Sequence, residues 1–280
     1  MTDWPPISAG RLKQARRLVA AKGRQRAGAM LAEGPQAVRE ALAWARTRLV
    51  IVLADAPPTP TALAHEAFYA GVPVATASPT QMATITDTVH SQGIIAVCEI
   101  PSVTLDDIAS TGLDDIHARS LDDIPAPKLA LILDQVRDPG NVGTLIRTAD
   151  AFGADAVIAT EGSAEVWAPK VVRSSVGSVF HIPIVTNVSF EDATSWGKKA
   201  GLQVLAAEAG GVPLDQQTEA LRNATAWIVG NEASGLPPEH LALADQSVAV
   251  PMWGKAESLN VATAAAICLY TTAQAQRTSR

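Results

Sequence analysis

An α/β chain in two domains is what this sequence predicts, on three observations. It holds 280 residues, enough for two compact units and too many for one small module. Apolar residues make up 48% against 4% aromatics, and Ala and Val dominate them, which suits close-packed layers of helix and sheet. Short β-branched runs alternate with helical-period segments twice along the chain, on either side of an acidic, proline-bounded stretch.

The first 26 residues are basic. Arg11, Lys13, Arg16, Arg17, Lys22, Arg24 and Arg26 stand against one acid, Asp3, so this stretch is +6 in a chain whose net charge is −6. The spacing R-x-K-x-x-R-R is read as one that can line the first four bases along one side of a short helix. Lys22, Arg24 and Arg26 continue into a more irregular, mobile stretch. Two readings stay open: a phosphate-binding arm held by counterion release, or a solvated helix face. Beyond it, 29–33 predicts a strand, and Gly34-Pro35 opens a helix to 45. The β-branched run 49–54 predicts a second strand. A helix over 60–70 follows, with Thr59 placed to cap it and Pro60 suited to its first position. Strand 72–75, a helix near 79–86 and strand 93–99 complete a small sandwich of helices around a sheet, and 1–104 is read as this domain with its basic segment.

Leu105-Asp-Asp-Ile108, Leu113-Asp-Asp-Ile116 and Leu121-Asp-Asp-Ile124 then repeat one tetrapeptide every eight residues. The pattern lacks the alternate acids, glycine and distant Glu of an EF-hand loop, and three copies are too few for a solenoid. Residues 105–127 read as an acidic linker with transient helix, the boundary falling before Pro125-Ala-Pro127.

A second alternation occupies 128–280. Strands are predicted at 129–133, 156–158, 182–185, 203–207, 224–229 and 246–250, with helices at 141–151 and 189–200. Residues 258–273 form an Ala-rich closing helix, apolar nearly all round and so buried in the protein or in a subunit interface. The pattern is doubly wound in character.

Several chemistries are excluded. No G-x-G-x-x-G follows a strand, no G-x-x-x-x-G-K-[ST] is present, and no G-x-S-x-G elbow occurs. His65, His90, His117, His181 and His240 lack metal-ligand spacing, so no metal is expected. Cys98 and Cys268 allow no disulfide framework. The start has no basic region followed by an apolar stretch, and no apolar run approaches the roughly 18–20 residues that cross a bilayer. A soluble, cytoplasmic protein without a membrane partner is expected.

Polar residues gather at three strand-to-loop junctions. In the first, Asp138-Pro139-Gly140 turns and Asn141 can cap the following helix. At about 100° per residue, Val142, Leu145, Ile146, Ala149 and Phe152 form one apolar stripe, while Thr144, Arg147 and Ala151 point the other way. Arg147 is then either a solvent-facing arginine or a cation displayed beside the strand's carboxyl end, where open α/β sheets bind ligands. The second junction, Gly230-Asn231-Glu232-Ala-Ser-Gly235-Leu236, leaves a strand into a glycine-flanked turn, and by itself Asn231-Glu232 reads as a turn pair. The third is Val250-Pro-Met-Trp-Gly254-Lys-Ala-Glu-Ser258-Leu259-Asn260-Val261, in which Ser258 or Asn260 can cap the last helix. All three could converge on one cleft.

In this order and spacing the junctions resemble the three motifs of the SpoU (TrmH) family of RNA ribose 2′-O-methyltransferases, within the SPOUT superfamily. The match runs through Asp138-Pro139-Gly140-Asn141-Val142-Gly143 with Arg147-Thr148-Ala149, then Gly230-Asn231-Glu232 with Gly235-Leu236, then Val250-Pro251-Met252 with Glu257-Ser258-Leu259-Asn260-Val261. Lys170-Val-Val-Arg173-Ser-Ser175-Val-Gly177 and Pro183 resemble the family's middle segment, so 128–280 is covered nearly end to end. The basic segment, Ala32-Glu33-Gly34 and the helix after them resemble the small substrate-binding domain many members carry. The Leu-Asp-Asp-Ile repeats have no counterpart in it.

That resemblance implies a C-terminal parallel-sheet SPOUT domain with a trefoil knot, preceded by a small α/β/α substrate-binding domain. It implies bent S-adenosyl-L-methionine, held by Gly230, Val250 and Leu259 through backbone groups and apolar contact with adenine. It implies a homodimer through the catalytic domain, and RNA held by Arg11, Lys13, Arg16, Arg17, Arg24, Arg26 and Arg173. Arg147 takes the central catalytic place, with Asn141, Glu232, Ser258 and Asn260 around it. A guanidinium, whose pKa exceeds about 12, is a poor base, so Arg147 is expected to bind the neighbouring phosphate and stabilise charge on the 2′-oxygen. Asn141 would orient Arg147 or the ribose, Glu232 would fix Arg147 or a ribose hydroxyl, and Ser258 and Asn260 would shape the pocket. The implied reaction is methylation of a ribose 2′-hydroxyl in structured RNA, 23S ribosomal RNA first. Alternatives are tRNA ribose methylation and a non-catalytic RNA-binding or ribosome-assembly protein.

Overall fold

A computed structural model describes residues 4–88, 91–110 and 127–278. They group into two units, Met1–Pro101 with Glu165–His181, and Ser102–Ala164 with Ile182–Arg280.

In the first unit, helix α1 (Ala9–Arg17) starts at Ser8, whose hydroxyl accepts from the Arg11 amide. Helix α2 (Ala21–Ala27) replaces the irregular stretch expected there, and ends where Gly28 takes a left-handed φ of 54°. Arg24 explains why this segment is ordered. Its guanidinium donates to the carbonyls of Leu18 and Val19 at 2.7 and 2.8 Å, and its Nε and second amino nitrogen grip the Glu165 carboxylate at 2.7 and 2.5 Å. At 3% exposure Arg24 is a structural ion pair, which corrects its expected place on RNA.

Strands β1 (Ala29–Glu33), β2 (Thr47–Leu53), β3 (Val74–Ala77) and β4 (Ile94–Glu99) form one sheet in the order β1-β4-β2-β3. β4 runs antiparallel to both its neighbours, and β2 pairs with β3 in parallel. Helix α3 (Pro35–Trp44) buries Ala37, Val38 and Ala41, and α4 (Pro58–Tyr69) buries Leu63, Ala64 and Ala67. α4 begins two residues before the expected Pro60, because Pro58 already tolerates a first-turn position that has no N–H partner. α5 (Pro79–Met82) is a single turn closed by a capping box between Ser78 and Gln81.

In the second unit, α6 (Leu105–Ser110) is an ordered helix where a linker was expected. Thr104 and Asp107 cap it reciprocally at 2.8 and 3.3 Å, and bonds from the Thr104 hydroxyl and amide hold the Asp107 carboxyl below its usual range. Ile108 is fully buried among Trp196, Leu202 and Val185, so the first repeat anchors to this core. The second and third repeats lie outside the described residues.

The remaining strands are β5 (Leu129–Leu133), β6 (Ala156–Thr160), β7 (Ile184–Val188), β8 (Gln203–Pro213), β9 (Thr225–Val229) and β10 (Gln246–Ala249). They make a wholly parallel sheet in the order β10-β8-β9-β5-β6-β7. β5, β6 and β9 are buried at every position, which is why they read as continuous apolar runs rather than alternations. Helices α7 (Pro139–Ala151), α9 (Phe190–Lys199), α10 (Pro238–Leu241) and α11 (Val261–Thr278) complete this unit. Helix α8 (Pro169–Ser174), within Glu165–His181, groups with the first unit and packs on β1.

β8 continues well past the expected end at 207. Gly211 makes this possible: a Cβ there would lie 2.4 Å from the Val248 amide nitrogen, so only glycine lets β8 approach β10 so closely. Trp227, buried on β9, donates to the Thr272 hydroxyl at 2.9 Å and ties the sheet to α11. Cys98 and Cys268 are buried free thiols, and burial pushes both up to about 12. Among the described residues no helix is long and apolar enough to cross a membrane.

Candidate active site

Strand order brings the three junctions together. β5 and β9 are neighbours in register, with Leu133 beside Val229, and the Asp134 amide donates to the Val229 carbonyl at 2.9 Å. The loops leaving these two strands therefore emerge side by side at the sheet's carboxyl edge. The third loop feeds α11, which packs along α7.

Asp138 caps α7, accepting the Asn141 amide at 2.8 Å, so Asn141 is not the cap the sequence suggested. Its side chain is thereby free for another task. Asn141 Nδ2 donates to Glu232 Oε1 at 3.0 Å, and its Oδ1 accepts from Asn260 Nδ2 at 3.1 Å. Asn260 Oδ1 in turn accepts from the amides of Ala262 and Thr263 at 2.9 and 3.4 Å, which starts α11 at Val261. Glu232 also accepts from the amides of Asp138 and Arg137 at 3.3 and 3.4 Å. One chain of polar contacts, Glu232–Asn141–Asn260, joins all three junctions. Burial alone would raise the Glu232 pKa, but the Asn141 side chain and the amides of Glu232, Asp138 and Arg137 outweigh it and hold the carboxyl below its usual range.

Asn231 is the lock on the second loop. Its Nδ2 donates to the Gln135 carbonyl at 2.9 Å and its Oδ1 accepts from the amides of Ala233 and Ser234. The loop closes at Gly235, at a left-handed φ of 65°.

These loops wall a cavity of about 600 Å³ that Asn141, Glu232, Ser258 and Asn260 all line, together with Gly230, Val250 and Leu259. All seven were singled out in the sequence. Arg147 was too, but it is not in the lining: it is exposed, and its side chain makes no hydrogen bond or ion pair among the described residues. Helix geometry gives the reason. Six residues beyond Asn141 place it about 9 Å farther along α7 and about 120° around it. Neither Asn141 nor Glu232 orients Arg147 within this chain, contrary to one expected role. Of the expected RNA-binding residues, Arg11, Lys13, Arg16, Arg17 and Arg26 are exposed. Arg173 is not free, since it pairs with Asp87 and, at 3.5 Å, with the buried Glu33.

Two cavity residues escaped the sequence reading. Glu208 lines it from the part of β8 just past the expected strand end at 207, and Ser234 from the loop after Asn231. A third omission lies just outside. Asp134, at 1% exposure, accepts from the Thr160 hydroxyl at 2.9 Å and meets His240 Nδ1 at 2.6 Å, while the His240 ring stacks on Phe190 at 4.0 Å. An acid directly after an all-apolar strand was the available signal, because a buried carboxylate needs a partner. Asp134→Ala strands both partners and should cost about 2–4 kcal/mol in urea unfolding at unchanged m.

The comparisons with known proteins bear on the family of the chain. Residues 128–270 match the SpoU rRNA Methylase family, and residues 10–96 match the MRM3-like substrate binding domain. The chain is 34% identical, over 93% of its length and 94% of the relative's, to the 23S rRNA (guanosine(2553)-2′-O)-methyltransferase RlmP of Bacillus subtilis. It is 36% identical to the tRNA (guanosine(18)-2′-O)-methyltransferase of Escherichia coli, over 54% of this chain and 65% of that one. Among solved structures, the SpoU methyltransferase AviRb of Streptomyces viridochromogenes in complex with AdoMet aligns with a TM-score of 0.79 at 27% identity, covering 98% of this chain and all of that one (100%). With its catalytic half matched as a unit and a relative aligned nearly end to end, the chain belongs to the SpoU rRNA methylase family.

Proposed function

We propose that this protein methylates a ribose 2′-hydroxyl of ribosomal RNA, using S-adenosylmethionine. The observation that carries the reading is the Glu232–Asn141–Asn260 chain at the mouth of the cavity, which fixes three loops around one space. The lining suits the donor. Its volume lies within the usual range for small-molecule sites. Leu236, Val248, Val250 and Leu259 offer apolar walls for adenine, and the carboxylates of Glu208 and Glu232 suit a ligand carrying a sulfonium and an ammonium. Gly230 belongs at the strand end because a Cβ would come within 2.8 Å of the Gly235 carbonyl carbon and the Leu236 side chain.

When bound, the donor supplies an electrophilic methyl group for in-line transfer to oxygen. The protein's own task is alignment and charge. Glu232, with its lowered pKa, stays ionised at neutral pH and is a weak base, so it positions α7 rather than removing the proton. Asn141 and Asn260 fix the ribose edge of the cavity, with Ser258 beside them.

Arg147 keeps its role, stabilising charge on the 2′-oxygen and holding the next phosphate, through a homodimer. Tyr270 (53% exposed) supports this: it lies on α11, which packs along α7, the helix whose exposed face carries Arg147. Two copies sharing that surface give each cavity the partner's Arg147. The return of α11 from the edge strand β10 to β9 and α7 supports reading the stretch from Gly230 onward as a trefoil knot. A ribosomal RNA substrate is consistent with a cytoplasmic protein.

Ribosomal RNA is favoured over tRNA because the resemblance to an rRNA methyltransferase extends through the first unit, whereas the tRNA enzyme matches only about half of the chain. Purified 23S rRNA and bulk tRNA, each incubated with labelled S-adenosylmethionine, test it: label should enter 23S rRNA, and label in tRNA alone would overturn the substrate assignment.

A further inference from the structure

Aromatic residues are scarce in this chain, with six Trp, four Phe and two Tyr, yet three of them meet at one edge of the first unit. Trp4, Phe68 and Tyr69, with His65 and Arg11, line a cavity of about 560 Å³. His65 and Tyr69 are one turn apart on α4, and their rings stack with centroids 6.3 Å apart. Trp4 tilts over His65 at 4.6 Å, and Phe68 meets Tyr69 edge-on at 5.8 Å. Phe68 is 55% exposed and Tyr69 82% exposed. Residues with so much apolar ring surface in water are displayed rather than stored.

The frame is rigid. The Thr76 amide donates to the Pro5 carbonyl at 3.0 Å and the Ile7 amide to the Thr76 carbonyl at 2.8 Å, so the segment bearing Trp4 is laid along β3. Arg11 stands in the cavity wall, whereas Lys13, Arg16 and Arg17, two, five and six residues on, turn to the other side of α1; all four are exposed and without an ion pair among the described residues. Exposed rings with a cation in the same wall are a combination that takes a single-stranded nucleotide: rings stack the base, and the cation holds its phosphate.

We propose that this aromatic cavity binds an unpaired nucleobase of the RNA substrate, with Arg11 on its phosphate. The inference rests on the RNA-methylating function above and adds to it a binding subsite and its ligand. Stacking and charge respond differently to salt, which makes the subsite testable on the full-length protein. Affinity for a mixed-sequence single-stranded RNA 12-mer, and for a duplex of the same length, is measured by anisotropy across a salt series, with KM and kcat for 23S rRNA. Phe68→Ala/Tyr69→Ala should weaken single-strand binding about tenfold at an unchanged salt slope, erase the preference over duplex, and raise KM while leaving kcat and S-adenosylmethionine affinity as they were. Tyr69→Phe should bind like the parent. Arg11→Gln should lower the salt slope by about 0.7. Parental RNA affinity and KM in the double variant would overturn the subsite while leaving the methyltransferase reading intact, as would a loss of dimer in sedimentation with RNA affinity retained. An absence of RNA binding and methylation by the parent protein would overturn both.

Discussion

Replacing Arg147 with Ala is expected to reduce methyl transfer to 23S rRNA by about 10²–10³-fold or more, the cost of removing one preorganised charge stabiliser from a transition state. S-adenosylmethionine affinity should be unchanged, because Arg147 lies outside the cavity lining of its own chain. The proposed dimer adds a sharper expectation. A mixed population of Arg147→Ala and a cavity-defective Glu232→Ala chain should recover activity, since a heterodimer contains one intact cavity facing one intact Arg147. Single-turnover kinetics on mixed and unmixed samples checks both points. Near-parental turnover by Arg147→Ala removes its catalytic role, and failure of mixing to restore activity removes the crossed arrangement.

Glu232→Gln carries the second large effect. The carboxylate accepts from three donors on the first junction, and an amide can present only one acceptor oxygen while its NH2 confronts a backbone N–H. The anchor of the Asn141 side chain is reduced to a neutral, strained acceptor, and a misplaced ribose edge should lower kcat/KM by about 10²-fold. The sign of the pH dependence follows from the lowered pKa. A carboxyl with a depressed folded-state value contributes stability above its unfolded pKa and loses it as pH falls through the folded one. The parent should therefore melt above the variant at neutral pH, and the gap should close in acid below the usual carboxylate range. Calorimetric scans at several pH values test this, and a gap independent of pH would show that ionised Glu232 does not hold the loops.

Much of the catalytic unit was legible because its signals are local. The apolar run of β5 and the nearly apolar run of β9 announce buried parallel strands, and turn residues after each mark the junctions. What remained hidden depends on distant partners. Arg24 sits among basic residues and looks like part of an RNA-binding arm, yet Glu165, far along the chain, claims it. Arg173 looks equally free until Glu33 and Asp87 approach. The strand expected to end at 207 runs on to Pro213, because Gly211 admits the backbone of β10. In Leu105-Asp-Asp-Ile108 the acids suggest a solvated linker, but Ile108 found a core. For Arg147 the apolar stripe of α7 made its exposure legible, while the role proposed for it depends on a second copy of the chain that no local pattern announces.

The central claim concerns which atom receives the methyl group, and chemistry separates the possibilities cleanly. A free 2′-oxygen attacks its phosphodiester in alkali; a methylated one does not. After incubation of 23S rRNA with methyl-labelled S-adenosylmethionine and this protein, alkaline hydrolysis should leave the label in alkali-resistant dinucleotides, and digestion to nucleosides should place it on ribose. Label released entirely as mononucleotides with a methylated base would contradict the account.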